Sequence, residues 1–320
     1  MRTSEFAPLD PLRIAVLAGG NSAEREVSLR SGAAVAHALS ERGHHVVIVD
    51  PADVEFTTFS WSTFDAVFVA LHGTFGEDGA VQKILEEAGV ALTGSDARTS
   101  RLAFSKSASK ERFLQCSVPT PDYVLIHESD DKARISKQAE RLRFPLAVKP
   151  DAQGSSLGVS IVESTEMLPQ ALTASFGYDE FAILESAVMG SEWTVGFLDD
   201  LALPLIRIET DRPFFDFQAK YEDESTRYCF EFDLPTNVVK SIENTARRAR
   251  EALGTQGLSR VDLRLDRFDR PWVLEVNTIP GLTDHSLIPQ AATRYGIEFG
   301  ELCERAVSSC LETIAGRPRK

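Results

Sequence analysis

"RPWVLEVNTIPGLT", at residues 270–283, is an apolar run that carries polar side chains near its end. Successive side chains of a β-strand point to opposite faces, so Glu275 and Asn277 would lie side by side on one face. Leu274 would then point to the opposite, apolar face. A carboxylate and a carboxamide on so apolar a strand require a polar partner.

A second such run, RVDLRLD at 260–266, is separated from PWVLEVN at 271–277 by only four residues. The simplest pairing is a hairpin that sets Asp262 opposite Glu275 and Arg260 opposite Asn277. Like charges directly opposite each other on antiparallel strands repel unless something neutralises them. A divalent cation would do so, and oxygen ligands favour Mg²⁺ or Mn²⁺ over zinc. The alternative is an exposed hairpin with solvated acids, but the apolar flanks and the rigid IPG sequence favour a metal site.

A glycine- and serine-rich loop, VKPDAQGSSLGVS at 148–160, lies between two predicted strands. Small residues let backbone N–H groups approach phosphate oxygens, and Lys149 supplies a compact positive charge. The loop is neither a Walker A nor a Rossmann motif, since those motifs open a helix. Taken alone it is more typical of a plain β-turn. Beside a metal site, it predicts binding of nucleotide phosphates.

Composition limits the class of protein. The chain has 320 residues, of which 43% are hydrophobic and 26% charged, which is typical of a soluble globular protein with two or three subdomains. A net charge of −14 without a basic cluster argues against a nucleic-acid partner. No apolar run is long enough for a membrane span or a secretory signal, and the four cysteines lack metal spacing. We therefore expect a cytoplasmic protein without membrane contact.

The N-terminal third alternates predicted strands and helices, beginning with the strand RIAVLA at residue 13. This alternation predicts a parallel sheet, with ligands at the carboxyl ends of its strands. Those ends carry GGNSAERE and HGTFGEDG. Such polar, glycine-rich loops are suited to binding a small ligand.

The rest of the chain follows a proline-containing linker, SVPTPDY, at 117–123. Five apolar runs with only two helices between them predict one mostly antiparallel sheet, an α+β subdomain: FPLAVKP, VSIVE, FAILES, EWTVGFL and LALPLIRIE. Residues 211–233 are polar and aromatic without periodicity, which is typical of a functional or disordered loop. A helix at 238–253, the hairpin and a terminal helix complete the chain.

Six motifs, in this order and spacing, together resemble the D-alanine:D-alanine ligase family of the ATP-grasp superfamily: GGNSAEREVSLRSG, LHGTFGEDG, VKPDAQGSSLGVS, FDFQAKY, RVDLRLD and LEVNTIPGLTDHSL. The resemblance implies an α/β, ATP-grasp fold that clamps ATP between its second and third units. These units would be an N-terminal parallel-sheet domain (1–118), a central subdomain (119–208) and a C-terminal subdomain with a mobile lid and the metal site (209–320).

The implied reaction joins two D-alanines at the expense of ATP, through a D-alanyl phosphate, for synthesis of peptidoglycan precursors. The implied cofactors are ATP and two Mg²⁺ ions, with Mn²⁺ as a substitute. Members of the family are commonly homodimers. Phosphoryl transfer activates a carboxylate that is otherwise a poor electrophile, and the amine of the second D-alanine then attacks.

Residue by residue, the resemblance implies three groups of site residues. The metal ligands would be Asp262, Glu275 and Asn277. The nucleotide would be bound by Lys106, Lys149 and Lys220 at its phosphates, and by Glu185, Ala187, Val188 and Glu192 at its adenosine. The reacting groups would be held by Glu24, Ser155, Tyr221, Arg260, Gly281 and Ser286, with His72 and Leu287 as further substrate-binding residues.

Within the third group, Glu24 matches the acceptor of the first D-alanine's ammonium group, linked to Ser155 and Tyr221. Arg260 and the Gly281 N–H match the pair that stabilises the oxyanion. Ser286 and the Leu287 backbone match the site for the second carboxylate. Individually these positions have ordinary alternatives: Glu24 as a helix first-turn acid, His72 as a loop histidine and Tyr221 as a surface aromatic.

The chain departs from the family pattern at Ser105, where Asp is usual, at Ser186, where Lys is frequent, and at Gln218, where Glu is frequent. The general base is not fixed by the sequence, since Tyr221, Ser155 and the product phosphate are all candidates. Two other functions remain open: a related ligase that makes a D-alanyl ester or a mixed dipeptide, and a nucleotide-binding regulatory protein. The second is disfavoured by Arg260, which would serve only the oxyanion.

Overall fold

The computed structural model describes residues 6–315, except 213, 216, 217, 219–222, 224 and 284. Lys220, Tyr221 and much of the predicted lid therefore lie outside the described residues, and the predictions for them stay predictions. Within the described part of the chain, no helix is both long and apolar enough to cross a membrane.

The N-terminal sheet is parallel, as predicted, with the order β2-β1-β3-β4. Its strands are β1 Arg13–Leu17, β2 His45–Val49, β3 Ala66–Val69 and β4 Ala91–Leu92, and the helices of this region are α1 Arg25–Glu41, α2 Ala80–Glu87, α3 Ala97–Phe104 and α4 Lys106–Gln115. Helix α1 lies close to the sheet because Gly32 has no side chain: a Cβ there would come within 2.2 Å of the Ala18 Cβ. The two predicted loops follow β1 and β3.

The central sheet is antiparallel, with the order β5-β8-β6-β7. Its strands are β5 Tyr123–His127, β6 Leu146–Pro150, β7 Ser160–Val162 and β8 Phe181–Ser186, with helices α5 Lys132–Leu142 and α6 Leu168–Phe176. Asp131 caps α5 by accepting a hydrogen bond from the Arg134 N–H. The apolar sides of both helices and of the sheet share one core.

The third sheet has the order β12-β11-β9-β13-β14, with β10 beside β9. Its strands are β9 Gly190–Leu198, β10 Leu201–Ala202, β11 Ile206–Glu209, β12 Arg227–Cys229, β13 Leu258–Asp266 and β14 Pro271–Asn277. The remaining helices are α7 Thr236–Leu253, α8 Leu287–Tyr295 and α9 Phe299–Ala315. Helix α7 packs on β13 and β14, whereas α9 contacts α1, β3 and β4 of the N-terminal sheet. The far end of the chain thus covers the first sheet.

The prediction that five consecutive apolar runs form one sheet is wrong. Strands β9 and β11 belong to the third sheet, where β9 pairs with β13 from Leu198 opposite Leu258 to Gly190 opposite Asp266. The chain changes sheet between β8 and β9, so the boundary expected at 208 does not separate the sheets. Strands that follow each other in the sequence need not pair in a sheet. A long buried strand pairs with those strands whose length and apolar pattern match its own.

The hairpin of β13 and β14 has the predicted register, with Asp262 opposite Glu275 and Arg260 opposite Asn277. The prediction that Leu274 and Glu275 point to opposite faces is wrong. A bulge follows the Asp262–Glu275 pair, and Leu274 and Glu275 both line a cleft beside the central sheet. An extra residue on one strand interrupts the alternation, so Val273 and Val276 share the core with α7 although they are three residues apart.

The hairpin turn is organised by Asp266. Its carboxylate accepts hydrogen bonds from the backbone N–H groups of Phe268 and Arg270, from Arg270 Nε and from Trp272 Nε1, at 2.8–3.1 Å. Partial burial would raise the pKa of Asp266, but these donors outweigh it and lower the pKa to about 2. The ionised carboxylate therefore fixes the turn that sets the register.

Asp266→Asn should lower the melting temperature at pH 7 by about 2–4 °C, because an amide cannot accept all of these hydrogen bonds. A folded pKa of about 2 lies below the ordinary value, so the stabilisation is complete above about pH 4 and is lost as the pH falls toward 2. Thermal melts between pH 7 and about pH 2 test whether Asp266 stabilises the turn. Asp269→Asn, at the same turn, is the control. Equal melting of both variants at pH 7 would contradict it.

Candidate functional site

Two neighbouring cavities contain most of the predicted site residues. The larger, of about 600 Å³, lies between the N-terminal sheet, the turn at 154–158 and the start of α8. It is lined by Glu24, His72, Ser155, Arg260, Asn277, Gly281, Ser286 and Leu287, among others. The smaller, of about 80 Å³, lies between the central and third sheets and is lined by Lys106, Lys149, Glu185, Ala187, Val188, Glu192, Asp262 and Glu275, among others.

Glu24 lies in the loop after β1 and is only 3% exposed. Ser155 donates a short hydrogen bond from its Oγ to Glu24 Oε1. Glu24 immediately precedes α1 and makes no side-chain capping bond to it. Gly154 lies close by, since a Cβ there would be 2.8 Å from Glu24 Oε2. The carboxylate is therefore held at the cavity wall by the serine turn.

The loop that carries Glu24 is fixed by Asp50, at the carboxyl end of β2. Asp50 accepts a hydrogen bond from the Gly20 N–H (2.8 Å) and forms an ion pair with Arg25 Nη2 (2.7 Å). Burial would raise the pKa of Asp50, but Arg25 and the backbone donors hold it below its usual value. Our reading of the sequence missed this pair. The available signal was an arginine in the glycine-rich loop together with an aspartate at the end of the adjacent strand.

His72 is held at both ring nitrogens. Nδ1 lies 3.3 Å from Glu77 Oε1, and Nε2 lies 3.4 Å from Ser31 Oγ. Ser22 Oγ also donates to the His72 carbonyl at 2.6 Å. The imidazole therefore has a fixed position in the wall of the larger cavity, close to Glu24.

Asp262 is the centre of the hairpin cluster and is 5% exposed. Arg260 donates to both carboxylate oxygens, with Nε to Oδ1 at 2.9 Å and Nη2 to Oδ2 at 2.8 Å. Thr194 Oγ1 donates to Oδ1 (2.6 Å), and Asn277 Nδ2 donates to Oδ2 (3.1 Å). Across the hairpin, Lys106 Nζ lies 3.9 Å from Glu275 Oε2. Protein cations thus offset part of the repulsion that led us to expect a metal.

The same cluster offers the oxygen donors that Mg²⁺ prefers. Asp262 and Glu275 supply carboxylates, and Asn277 uses its amide nitrogen toward Asp262, which leaves its Oδ1 as the potential ligand. Within the described residues, no three His, Cys, Asp or Glu side chains gather as a metal site. Two carboxylates and one amide oxygen fit a hard cation that takes its remaining ligands from a nucleotide and water.

Glu185 is buried beneath the smaller cavity and contacts two lysines. Lys110 Nζ lies 2.6 Å from Oε2, and Lys149 Nζ lies 2.7 Å from Oε1. Burial would raise the pKa of Glu185, but the two ammonium groups together lower it. Lys110, which our reading of the sequence missed, follows Lys106 by four residues on α4. That spacing places both lysines on one face of the helix and was the available signal.

Arg264 links two further residues that were predicted to bind the nucleotide, Val188 and Glu192. Its guanidinium donates to Glu192 Oε2 at 3.0 Å and to the Val188 carbonyl at 3.1 Å. The Ala187 N–H donates to the Pro145 carbonyl at 3.0 Å. The Ala187 N–H and the Val188 C=O are therefore already engaged within the protein, which restricts the backbone groups that a ligand would meet.

At the opposite side of the larger cavity, Ser286 immediately precedes helix α8. Its Oγ accepts a hydrogen bond from the Thr283 N–H (3.0 Å) and lies 2.9 Å from Thr283 Oγ1. A Cβ on Gly281 would lie 2.9 Å from the same oxygen. Gly281, Ser286 and Leu287 thus surround the N-terminus of α8, where backbone N–H groups favour an anion.

Comparison with known proteins gives the family. The profile of the D-ala D-ala ligase C-terminus matches residues 113–308. A D-alanine–D-alanine ligase of Nitrosomonas europaea is 43% identical over 290 residues, which is 91% of this chain and 94% of that protein. The chain belongs to the D-alanine–D-alanine ligase family.

Solved structures agree with this assignment. The Bacillus anthracis D-alanine–D-alanine ligase complexed with ATP has a TM-score of 0.82 and 28% identity, covering 95% of this chain and 99% of that one. The VanG D-Ala:D-Ser ligase of Enterococcus faecalis also has a TM-score of 0.82, with 27% identity and coverage of 94% and 100%. The predicted α/β, ATP-grasp fold is therefore confirmed.

Two departures from the ligase family pattern have local roles here. Ser105 caps α4 by accepting from the Ala108 N–H (3.2 Å) and donates to Asp151 Oδ2 (2.7 Å), so it performs the capping that an aspartate would perform. Ser186 Oγ donates to the Leu142 carbonyl at 3.3 Å. The side chain of Gln218 is exposed.

Glu185→Gln should lower the free energy of unfolding at pH 7 by about 3–5 kcal/mol, because buried Lys110 then faces an uncharged partner. The folded-state pKa of Glu185 is lowered, so its contribution is complete above its ordinary value near pH 4.3 and is lost as the pH falls further. The difference from wild type should therefore shrink below about pH 4.

Urea titrations at pH 7 and at about pH 3.5 measure this effect. Glu87→Gln is the matched control, because Glu87 is exposed and its Oε1 lies 3.9 Å from Lys83 Nζ. Equal stability of the two variants at pH 7 would show that the buried pair contributes nothing.

Proposed function

We propose that the chain joins two D-alanine molecules in an ATP-dependent, ADP-forming reaction through a D-alanyl phosphate, which supplies a precursor of peptidoglycan. The observation that carries this proposal is the position of the β13–β14 hairpin between the two cavities. Arg260 and Asn277 line the larger cavity, whereas Asp262 and Glu275 line the smaller one. A phosphoryl donor in one cavity and an acceptor carboxylate in the other would meet at this hairpin.

In this proposal, ATP binds against the walls of the smaller cavity, which is too small to enclose the whole nucleotide. Lys106, Lys149 and Lys220 bind its phosphates, while Glu185 and Glu192 lie at the adenosine. Because the Ala187 N–H and the Val188 C=O are already hydrogen-bonded, the adenine ring would meet the Ala187 C=O and the Val188 N–H. The compact charge of the lysines suits phosphate oxygens.

Two Mg²⁺ ions, or Mn²⁺ in their place, would be held by Asp262, Glu275 and Asn277 together with the phosphates. When bound, they would neutralise charge on the transferring phosphoryl group. The protein residues have a separate task, which is to keep the donor and the acceptor aligned and to hold water away from the acyl phosphate.

The first D-alanine would place its ammonium group on Glu24, which Ser155 holds in position, with His72 in the adjacent wall. Arg260 and the Gly281 N–H would stabilise the oxyanion that forms when the second amine attacks. Ser286 and the Leu287 N–H, at the start of α8, would bind the carboxylate of the second D-alanine. Three groups are candidates for removing the amine proton: Tyr221, Ser155 and the product phosphate.

The test is release of ADP by the purified protein with Mg²⁺-ATP, first without and then with D-alanine. The proposal expects release that depends on D-alanine, with the dipeptide as the product detected by mass spectrometry. Parallel reactions with D-serine and D-lactate distinguish a ligase of mixed products, the alternative that the likeness to a D-Ala:D-Ser ligase favours. Binding of ATP without turnover would instead indicate a regulatory protein.

Homodimer formation and a cytoplasmic location stay predictions.

Glu275→Gln should reduce ADP release by about 100-fold or more, because it removes one of two anionic metal ligands while it keeps the shape of the side chain. The fold should stay intact, and the melting temperature of the metal-free protein should be equal or higher, since the charge opposite Asp262 is gone. Mg²⁺ titrations of the rate measure the effect. Glu163→Gln, on an exposed glutamate, is the control. A wild-type rate in the variant would exclude Glu275 as a ligand.

Gly154→Ala should raise the KM for D-alanine about tenfold or more without lowering stability. The added Cβ would lie 2.8 Å from Glu24 Oε2, so the carboxylate must move from its position. Gly177→Ala is the matched control, because its Cβ would meet only carbonyl oxygens at 3.4 Å and beyond. Steady-state kinetics at saturating ATP decide the question: an unchanged KM in Gly154→Ala would mean that Glu24 does not bind this substrate.

A further inference from the structure

We propose that Lys110 is a positioning residue for the nucleotide site: by neutralising Glu185 inside the protein, it leaves the charge of Lys149 available to a nucleotide phosphate. This inference rests on the proposed function, because it assigns a phosphate to the smaller cavity. Lys110 itself is not among the residues that line either cavity. It therefore acts through Glu185 and Lys149 and does not contact the substrate.

Oxygen atoms of the protein surround the ammonium group of Lys110. The side chain is fully buried, with Glu185 Oε2 at 2.6 Å, Thr120 Oγ1 at 2.7 Å and the Pro121 carbonyl at 3.5 Å. The ring of Tyr123 lies beside it, with its centroid 5.6 Å from Nζ. These three oxygens surround Nζ, one through an ion pair and two through hydrogen bonds. Lys110 is thus fixed in place rather than able to reach a ligand.

Glu185 divides its two oxygens between two lysines. Oε2 faces Lys110, and Oε1 faces Lys149 at 2.7 Å. Two ammonium groups around one carboxylate leave an excess of one positive charge, and only Lys149 lies at the cavity wall. A phosphate oxygen in the cavity would therefore meet a lysine whose charge is not already balanced. The lowered pKa of Glu185 agrees with this pair of cations.

Without Lys110, Lys149 would remain as the single cationic partner of Glu185. A buried carboxylate holds a single remaining cation strongly, since both ions are shielded from water. Lys149 and Glu185 would then form a closed, neutral pair, and the attraction for phosphate would fall. Adenosine lacks phosphates and does not meet the charge of Lys149 in this way, while any change in its contact with Glu185 is shared by ADP. The ratio of the affinities for ADP and for adenosine therefore isolates the role of Lys110.

If Lys110 had only a structural role, the variants would give a different result. Thr120 accepts from Lys110 and donates its own Oγ1–H to the Val273 carbonyl on β14 at 2.9 Å, so Lys110 also ties the linker to the hairpin strand. Thr120→Val breaks this tie and keeps the pair of Lys110 with Glu185. If the tie were what mattered, Thr120→Val would affect nucleotide binding as much as removal of the lysine.

The experiment measures binding of ADP with Mg²⁺ by calorimetry, binding of adenosine by NMR titration, and the KM values for ATP and D-alanine. Lys110→Met should weaken ADP binding about tenfold or more, the loss of one charge-assisted contact, and leave adenosine binding within about threefold. The KM for ATP should rise, while the KM for D-alanine stays near that of wild type. Thr120→Val should lower stability and leave the ADP-to-adenosine ratio unchanged.

A second variant covers the case in which Lys110→Met does not fold. Lys110→Met combined with Glu185→Gln removes both buried charges together, which proteins tolerate far better than one unpaired charge. Lys149 then has no carboxylate partner, so the ADP-to-adenosine ratio should return to that of wild type. A ratio that stays low in the double variant would overturn the proposal.

Three other results would also overturn it: unchanged ADP binding in Lys110→Met, an equal loss for ADP and adenosine, or a loss in Thr120→Val as large as in Lys110→Met. Failure of the proposed function has a different outcome, because the wild-type protein itself would then either not bind ADP with Mg²⁺ or bind nucleotide without D-alanine-dependent release of ADP.

Discussion

The pairing of β13 with β14 is the constraint on which the rest of the site depends. It sets Asp262 opposite Glu275, with a bulge immediately after this pair that turns Leu274 and Glu275 to the same cleft. Asp262 in turn holds Arg260 at two points, so the arginine points to the larger cavity with little freedom. A slip of one residue would move every one of these side chains to the other face. One hairpin thus fixes the boundary shared by the two cavities.

Several buried or half-buried carboxylates in and near the site follow a common pattern: each has one cationic partner before any ligand arrives. Asp262 has Arg260, Asp50 has Arg25, and Glu192 has Arg264. Glu185 is the exception, because it has two lysines. This local excess of positive charge lies around Glu185, at one wall of the smaller cavity, in a chain whose net charge is −14. An acidic protein can therefore attract a polyphosphate locally, since the field in a cleft depends on nearby charges more than on the total.

The sequence predicted what depends on local pattern. The parallel N-terminal sheet and the register of the hairpin are confirmed, because alternation and a short turn determine them. Membership of β9 in the third sheet and packing of α9 on the first sheet depend on pairing between distant segments, which no local pattern encodes. The bulge at Leu274 has no signal in the sequence, because the residues around it have the pattern of a regular strand. Lys110 and Asp50 act through neighbours, so a search for ligand-binding motifs passed over them.

The segment between β11 and β12 shows how the two cavities are linked. Its described residues Phe214 and Phe215 line the smaller cavity, while Asp223 and Thr226 line the larger one. The Phe215 carbonyl accepts a hydrogen bond from Ser156 Oγ at 3.0 Å, in the turn that also carries Ser155. The segment that was predicted as a lid thus touches the walls of both cavities and the serine turn beside Glu24. A rearrangement of this segment at the smaller cavity would also change the wall of the larger cavity, because the same stretch of chain forms part of both.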